Sequence, residues 1–233
     1  DPTLVTGKGV FVDDVSVPGQ LYLCFLRSPY PHARIVSIDA LAALAMPGVV
    51  SVVTGAELTA AGVKPFPNAA GFKRPGGEPH ASPPRLCLAD GTARFVGEAV
   101  AAIVAKSRDE AYAARDAVMV DYEELPMVVV TDAAIEPGAA LVWPQATGNV
   151  CNETLYGNVA ACDAAFAAAA HVVTLDLVNQ RLVANPMEPR AVLAVPDAQT
   201  GRLTLRMSTQ MPSGARATLC DAILGIPQDK VRV

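Results

Sequence analysis

The chain has 233 residues, of which 52% are hydrophobic and 18% are charged, and its formal net charge at pH 7 is −5. An acidic balance without a Lys/Arg cluster argues against nucleic acid as a partner, and no apolar run reaches the roughly 18 residues that a membrane-spanning helix needs. The first residues lack the basic and apolar regions of a secretory signal. The small charged fraction predicts that a partner or further polypeptide covers some apolar surface, although the many alanines also raise the hydrophobic count.

Five cysteines (Cys24, Cys87, Cys151, Cys162 and Cys220) are widely spaced, and none forms a C-x-x-C pair. An odd number of cysteines without a secretory signal is typical of reduced thiols in the cytosol. We therefore expect a cytoplasmic protein, with neither structural zinc nor an iron–sulfur cluster bound within this chain.

The first part of the chain alternates strands with helices. Apolar runs rich in Leu, Val, Ile and aromatic residues predict strands at residues 21–28, 33–39 and 49–55. A short helix is expected at 40–45, because Met-Pro-Gly follows it. Residues 62–84 contain six prolines and four glycines, which predicts a loop that is either a mobile surface excursion or functional.

Regular structure resumes after this loop. A strand is predicted at 94–105, a helix at 107–118 and a further strand at 118–129. Ser107 is the expected helix cap, with the Glu110 carboxylate reaching back to the Ser107 amide. The order of these elements predicts an α/β (α+β) domain in which helices pack on a mixed sheet.

A stretch rich in Pro, Gly and Asn, residues 136–158, indicates a linker. Trp143, the one tryptophan of the sequence, is expected to anchor this linker to a neighbouring surface. An Ala-rich helix then begins near residue 159. Three strands are predicted to follow at residues 171–180, 190–197 and 202–210, with a hairpin-like turn at 198–201.

The final helix is marked at both ends, with Pro212 in its first turn and Gly225 just past its last. The closing sequence KVRV is expected to start another strand. Common catalytic motifs are absent from the sequence, including G-x-x-x-x-G-K-[ST], H-E-x-x-H and G-x-S-x-G. Ordinary structural or surface roles are expected for the three scattered histidines, His32, His80 and His171.

Two polar residues stand out near the second half's strands. Glu188 lies between two prolines with Arg190 two residues on, so it either fixes a turn as half of a Glu–Arg pair or contacts a ligand. Gln210 ends a predicted strand just before the final helix, and sites in α/β domains collect at the carboxyl ends of strands. A glutamine amide can donate a hydrogen bond to a ligand oxygen while staying neutral, although a turn-stabilising role is the alternative.

The segments SPYPHARI, VMVDYEELP and GNVAACDAAFAAAAHVV, in this order, resemble the xanthine dehydrogenase / aldehyde oxidase / carbon monoxide dehydrogenase family. The resemblance is to its large, molybdopterin-binding subunit and spans nearly the whole chain except the 62–84 loop. It implies a hammerhead α/β domain at 1–135, a linker at 136–158, and the N-terminal portion of a molybdenum-cofactor-binding domain at 159–233. The chain is thus expected to be about the N-terminal third of a large subunit.

The resemblance also assigns roles to residues near the strand-to-helix turn. In the sequence STQMP it gives Gln210 a hydrogen bond near the oxo ligand of molybdenum. Met211 and Arg216 would lie near the substrate funnel, and Glu188 is added as a weaker candidate there. No catalytic residue and no metal ligand is expected in this segment.

The implied enzyme oxidises an aldehyde, a purine, an N-heteroaromatic compound or a similar small substrate, with water as the oxygen source. Electrons would pass to iron–sulfur clusters and usually to FAD, both on partner domains or subunits. Residues outside this chain would complete the molybdenum–molybdopterin site, so the chain alone is expected to be inactive. The expected partners are the remainder of the large subunit, an iron–sulfur subunit and an FAD subunit. The alternatives are a non-catalytic hammerhead module for subunit assembly or protein contact, and an unrelated α/β domain.

Overall fold

The computed structural model describes residues 2–68, 75–77, 80–180 and 182–233. The strands of the described residues are β1 (Tyr22–Arg27), β2 (Ala33–Asp39), β3 (Val49–Thr54), β4 (Thr92–Ala93), β5 (Ala99–Ala105), β6 (Met119–Glu124), β7 (Val192–Asp197), β8 (Arg202–Met207) and β9 (Val231–Arg232). The helices are α1 (Pro2–Val5), α2 (Leu41–Leu44), α3 (Gly55–Ala60), α4 (Arg108–Ala117), α5 (Val159–Ala168) and α6 (Pro212–Ala217). Most elements fall where the sequence predicts them.

The first unit is built from two three-stranded sheets, in the orders β1-β5-β3 and β4-β2-β6. All strand pairs of these two sheets are antiparallel, so a pair of antiparallel sheets stands where the sequence predicted a mixed sheet. Strand β5 lies at the centre of its sheet, with Ile103 in register with Cys24 on one side and Val52 on the other. The α/β (α+β) fold class is confirmed, with α2 and α4 packed against the strands.

The core of this unit lies between β5 and α4. Ile103 and Ala105 of β5 are fully buried, as is Ala114 of α4, and Ala111 is 1% exposed. The two alanines are three residues apart on one face of the helix, so α4 can approach the strands closely. The Cys24 thiol donates a hydrogen bond to the Ala111 carbonyl oxygen at 3.1 Å, which ties β1 to the same helix. Burial of the Ile103 side chain contributes roughly 1.5–3 kcal/mol.

Side-chain caps fix the starts of two helices. The Ser107 hydroxyl accepts a hydrogen bond from the Glu110 amide at 3.3 Å and donates one to the Glu110 carboxylate at 2.8 Å. The sequence predicted that the Glu110 carboxylate would reach the Ser107 amide. In the structure the carboxylate accepts from the Ser107 hydroxyl instead. The full reciprocal box occurs at α3, where the Thr54 amide donates to Glu57 at 2.7 Å and the Glu57 amide donates to the Thr54 hydroxyl at 3.4 Å.

Trp143, in the stretch predicted to be a linker, contacts a neighbouring arginine, as expected. The Arg94 guanidinium lies over the Trp143 ring, 3.6 Å from the ring centroid. The pKa of Arg94 is lowered by burial, and the nearby Glu98 charge opposes that shift. The Glu98 carboxylate accepts a hydrogen bond from the Arg94 amide at 2.5 Å, so this arginine is held from two directions.

We expect Trp143→Ala to destabilise the protein by about 1–3 kcal/mol, because it removes both aromatic packing and the cation–π contact with Arg94. Trp143→Phe keeps a ring face and should lose less. Thermal unfolding of the complete protein checks both variants. Equal midpoints for wild type and Trp143→Ala would contradict an anchoring role.

The second unit has a small sheet in the order β7-β8-β9. Strands β7 and β8 form the predicted hairpin, and their turn is held by the Asp197 carboxylate, which accepts hydrogen bonds from the Thr200 hydroxyl at 2.6 Å and the Gln199 amide at 2.9 Å. These bonds lower the pKa of Asp197. Strand β9 pairs in parallel with β8, so the strand expected at KVRV is confirmed.

The prediction of a strand at 171–180 is wrong for the described residues. These residues have no regular secondary structure and are exposed, and none of them belongs to a strand. The amino-acid pattern suits a strand, but no described strand pairs with it through backbone hydrogen bonds. Helix α5 just before it is capped by Asn158, whose side-chain oxygen accepts a hydrogen bond from the Ala161 amide at 3.0 Å.

The final helix begins at Pro212 and continues beyond α6 as a π-helix, Thr218–Leu224. It ends at Gly225, which has the left-handed φ of 65° that the sequence position favours. The Lys64 amide donates to the Ile223 carbonyl oxygen at 3.0 Å, so the Pro/Gly-rich 62–84 stretch touches this helix. That stretch contributes a single isolated bridge, Phe66 to Arg85, among its described residues, while 69–74 and 78–79 lie outside them.

Candidate functional site

The candidate site is the turn between β8 and the final helix. Strand β8 ends at Met207 and α6 begins at Pro212, which leaves four residues to make the connection. The Thr209 hydroxyl accepts a hydrogen bond from the Met211 amide at 3.2 Å and fixes the backbone of the turn. Gln210 is exposed, and its side chain makes no hydrogen bond to the described residues. Its amide is therefore free to bind a group from outside them.

Glu188 is joined to this turn. The Ser208 hydroxyl donates a hydrogen bond to the Glu188 carboxylate at 3.1 Å, across 20 residues of sequence. Glu188 is half-buried, whereas Arg190 is exposed. The ion pairs of the described residues do not join Glu188 to Arg190, so the Glu–Arg pair that the sequence left open is not formed. The carboxylate instead holds the first residue after β8.

The two remaining predicted residues lie on the final helix. Met211 precedes its first turn and is 69% exposed. Arg216 lies in the last turn of α6 and is half-buried, and its Nε is buried without a hydrogen-bond partner among the described residues. No hydrogen bond or ion pair of the described residues links Arg216 to Gln210. The structure therefore brings Gln210, Met211 and Glu188 to one turn and leaves Arg216 farther along the helix.

This arrangement suits hydrogen bonding to a ligand oxygen and not direct metal ligation. A glutamine amide N–H is a neutral donor, and it remains available here at the exposed end of a strand. Within the described part of the chain, no group of three His, Cys, Asp or Glu side chains could hold a metal ion.

Other parts of the molecule offer weaker chemistry. A concavity of about 460 Å³ lies beside β1 and α4, far in sequence from the turn, and is lined by Leu23, Cys24, Phe25, Leu26, Arg27, Tyr112 and Arg115. None of these lining residues carries a carboxylate. Burial raises the pKa of the Cys24 thiol, which makes it a poor nucleophile. The His32 ring nitrogen Nδ1 lies 2.7 Å from the Pro126 carbonyl oxygen, a structural contact.

Sequence reasoning missed two residues of the turn, Ser208 and Thr209. The Thr209 hydroxyl accepts a hydrogen bond from the Met211 amide, and the Ser208 hydroxyl donates one to the Glu188 carboxylate. The signal available in the sequence was a Ser-Thr pair directly after an alternating strand, since these residues commonly stabilise turns through their hydroxyl groups. Across the described residues, none of the helices combines the length and the apolar character needed to cross a membrane.

Two known protein families match successive parts of the chain. Residues 6–126 match the family described as aldehyde oxidase and xanthine dehydrogenase, a/b hammerhead domain. Residues 142–233 match the molybdopterin cofactor-binding domain. Gln210, Met211, Arg216 and Glu188 all fall within the second match.

Curated relatives match along the entire chain. It is 36% identical to the nicotine 6-hydroxylase large subunit of Paenarthrobacter nicotinovorans, covering 100% of this chain and 28% of that protein. It is 36% identical to the carbon monoxide dehydrogenase large chain of Afipia carboxidovorans, covering 100% of this chain and 29% of that protein. The chain therefore spans less than a third of the length of these relatives.

Solved structures match the fold equally well. Quinoline 2-oxidoreductase from Pseudomonas putida 86 superposes with a TM-score of 0.78 at 36% identity, covering 99% of this chain and 28% of that one. Cu,Mo-CO dehydrogenase superposes with a TM-score of 0.80 at 33% identity, covering 99% and 29%. With the hammerhead match spanning residues 6–126, more than half of its length, the chain belongs to the aldehyde oxidase and xanthine dehydrogenase family.

Proposed function

We propose that this chain forms part of the large subunit of a molybdenum hydroxylase. The complete enzyme would oxidise a small substrate such as an aldehyde, a purine or an N-heteroaromatic compound, with water as the oxygen source. The observation that carries the proposal is the exposed Gln210 amide, held on a hydrogen-bonded turn inside the region that matches a molybdopterin cofactor-binding domain. The proposed division is a hammerhead domain at 1–135, a linker at 136–158 and the start of the cofactor-binding domain at 159–233.

The molybdenum–molybdopterin group, when bound, supplies the centre that takes up two electrons from the substrate. Gln210 would donate a hydrogen bond to an oxygen of this group and so help to fix its orientation. Thr209 holds the backbone that presents the Gln210 amide, and Ser208 ties the turn to the Glu188 carboxylate. Met211 and Arg216 face the path of the substrate. Residues outside this chain make the remaining contacts to the cofactor.

Other subunits complete the proposed enzyme. Iron–sulfur clusters and FAD, carried by partner subunits in the cytoplasm, receive the electrons. Relatives bear names that fit a multi-subunit assembly, including a large subunit, a large chain and a dehydrogenase complex subunit gamma. The present chain contributes to this enzyme and does not act alone.

Metal and pterin analysis of the complete purified enzyme tests the proposal. We expect both molybdenum and pterin to be present in amounts equimolar with the large subunit. A stable complex that lacks both in its native host would contradict the proposal and favour a non-catalytic hammerhead module for subunit assembly.

Glu188 is expected to act as a positioning residue for the turn. In the complete enzyme, Glu188→Ala should lower kcat about threefold to tenfold, because the lost hydrogen bond from Ser208 is worth roughly 1 kcal/mol. Glu188→Gln keeps an oxygen acceptor and should retain most of the activity. Steady-state kinetics with molybdenum content measured in parallel checks both variants. Equal loss in the two variants would show that the carboxylate charge, and not the hydrogen bond, is what matters.

A further inference from the structure

A long apolar surface in the second unit has no cover. Every described residue from 151 to 187 is exposed, including Val173 at 92%, Leu177 at 81% and Leu182 at 88%. The other large apolar side chains of this stretch are Leu155, Tyr156, Val159, Phe166, Val172, Leu175, Val178, Val183 and Met187. A surface this rich in exposed apolar side chains marks an interface and not a solvated face.

Residues 172–178, called here the apolar segment, have the pattern of a β-strand. In a β-strand successive side chains point to opposite faces, so a strand here would place Val173, Leu175 and Leu177 on one face. Thr174 and Asp176 would lie on the other face, with Val172 and Val178 at its two ends. The apolar segment carries a single charge, and the alternation over residues 173–177 is typical of a strand with one side in a core.

The backbone of the apolar segment is also unpaired. None of its amide or carbonyl groups hydrogen-bonds to another described residue. A lone strand that exposes both its backbone and its apolar face is not stable in water, since a strand gains stability from neighbours on both counts. The missing element must therefore supply hydrogen bonds as well as an apolar surface.

The length of the relatives indicates what supplies them. The chain matches curated large subunits over 100% of its own length but only 28% to 29% of theirs. Polypeptide of the same subunit is tethered to the apolar segment, so pairing with it is intramolecular and avoids the entropic cost of association that a second copy would incur.

We propose that residues 172–178 form a β-strand that pairs with a strand from the rest of the large subunit. Val173, Leu175 and Leu177 pack into the core that this pairing closes. The inference rests on the proposed function, since it takes the chain as part of a large subunit.

Hydrogen–deuterium exchange of the complete enzyme tests the pairing. The amides of 172–178 should exchange at least about 100-fold more slowly than in an unstructured peptide, with β5 as an internal reference. Exchange at the unstructured rate would overturn the proposal. Protection that weakens on dilution of the enzyme would assign the surface to a second copy, and would overturn it as well.

Substitutions test which face is buried. Leu175→Lys should reduce the protection of the apolar segment at least about tenfold, whereas Thr174→Lys on the opposite face should leave it within about twofold. Leu175→Ala is a milder companion if the lysine variant does not fold. Equal effects of the two lysine substitutions would overturn the assignment of faces.

Molybdenum content separates the two proposals. A protected apolar segment in an enzyme without molybdenum would leave the pairing intact and overturn the proposed function. Rapid exchange in a fully loaded enzyme would overturn the pairing alone.

Discussion

Replacing Gln210 by alanine in the complete enzyme is expected to lower turnover by about 10-fold to 100-fold. The side chain is exposed, makes no hydrogen bond to the described residues, and lies on a turn fixed by the Thr209 hydroxyl. A hydrogen bond to a charged or strongly polar group is worth roughly 1.5–3 kcal/mol, which corresponds to this range of rates. Because Gln210 supports no fold contact among the described residues, stability should not change.

Two further variants make this result specific. Gln210→Glu replaces a neutral donor by a negatively charged acceptor, so it should repel a ligand oxygen and lower turnover more than alanine does. Gln199→Ala makes the same change at the hairpin turn, at the opposite end of β8, and should have no effect. Molybdenum content and unfolding midpoint are measured for all three. Normal turnover of Gln210→Ala at full molybdenum loading would contradict the role given to Gln210.

The largest effect on stability is expected for Gly55→Ala, at about 2–3 kcal/mol. A Cβ atom at Gly55 would lie 2.1 Å from the Ala89 carbonyl oxygen and 2.6 Å from the Ala89 carbonyl carbon. Ala89 is buried, and its amide donates to the Ala99 carbonyl oxygen at 2.7 Å. The segment cannot move away without breaking a contact with β5, so the clash has the cost of an overpacked core.

Thermal unfolding of the complete protein followed by circular dichroism measures this loss. Ala56→Ser is the matched control, because it adds one atom at the next and exposed position of α3. We expect a clearly lower midpoint for Gly55→Ala and an unchanged one for Ala56→Ser. Similar midpoints for Gly55→Ala and wild type would mean that the close approach of α3 to Ala89 is not retained in solution.

Local signals account for the elements that the sequence predicted correctly. Strands β1 and β2 follow from short apolar runs bounded by turns, and helix α4 follows from its Ser107 cap. Strand direction depends on which segments meet in space, and no local pattern encodes it. This is why the antiparallel pairing of both hammerhead sheets differed from the expected mixed sheet.

The predicted strand at 171–180 failed for a related reason. Its alternation of apolar and polar residues is a property of the sequence, but a strand also needs a neighbour, and the described residues provide none. The same pattern therefore predicts a partner as much as it predicts a strand. In this chain the failed prediction marks the surface that we propose is covered by the rest of the subunit.

For the candidate site, the sequence pointed to Gln210 through its position between a strand and a helix. It could not supply the hydrogen bond from Ser208 to Glu188, since that contact joins residues 20 positions apart. It also left Glu188 with two roles, and only the folded chain separates them. The role of Gln210 toward molybdenum came from resemblance and stays a prediction.

A high-resolution structure of the complete enzyme with its cofactor is the most direct test of this account. It should place the Gln210 amide nitrogen at about 2.7–3.2 Å from an oxygen ligand of molybdenum. A Gln210 amide more than about 3.6 Å from every such oxygen, in an enzyme that contains the cofactor, would contradict the central claim.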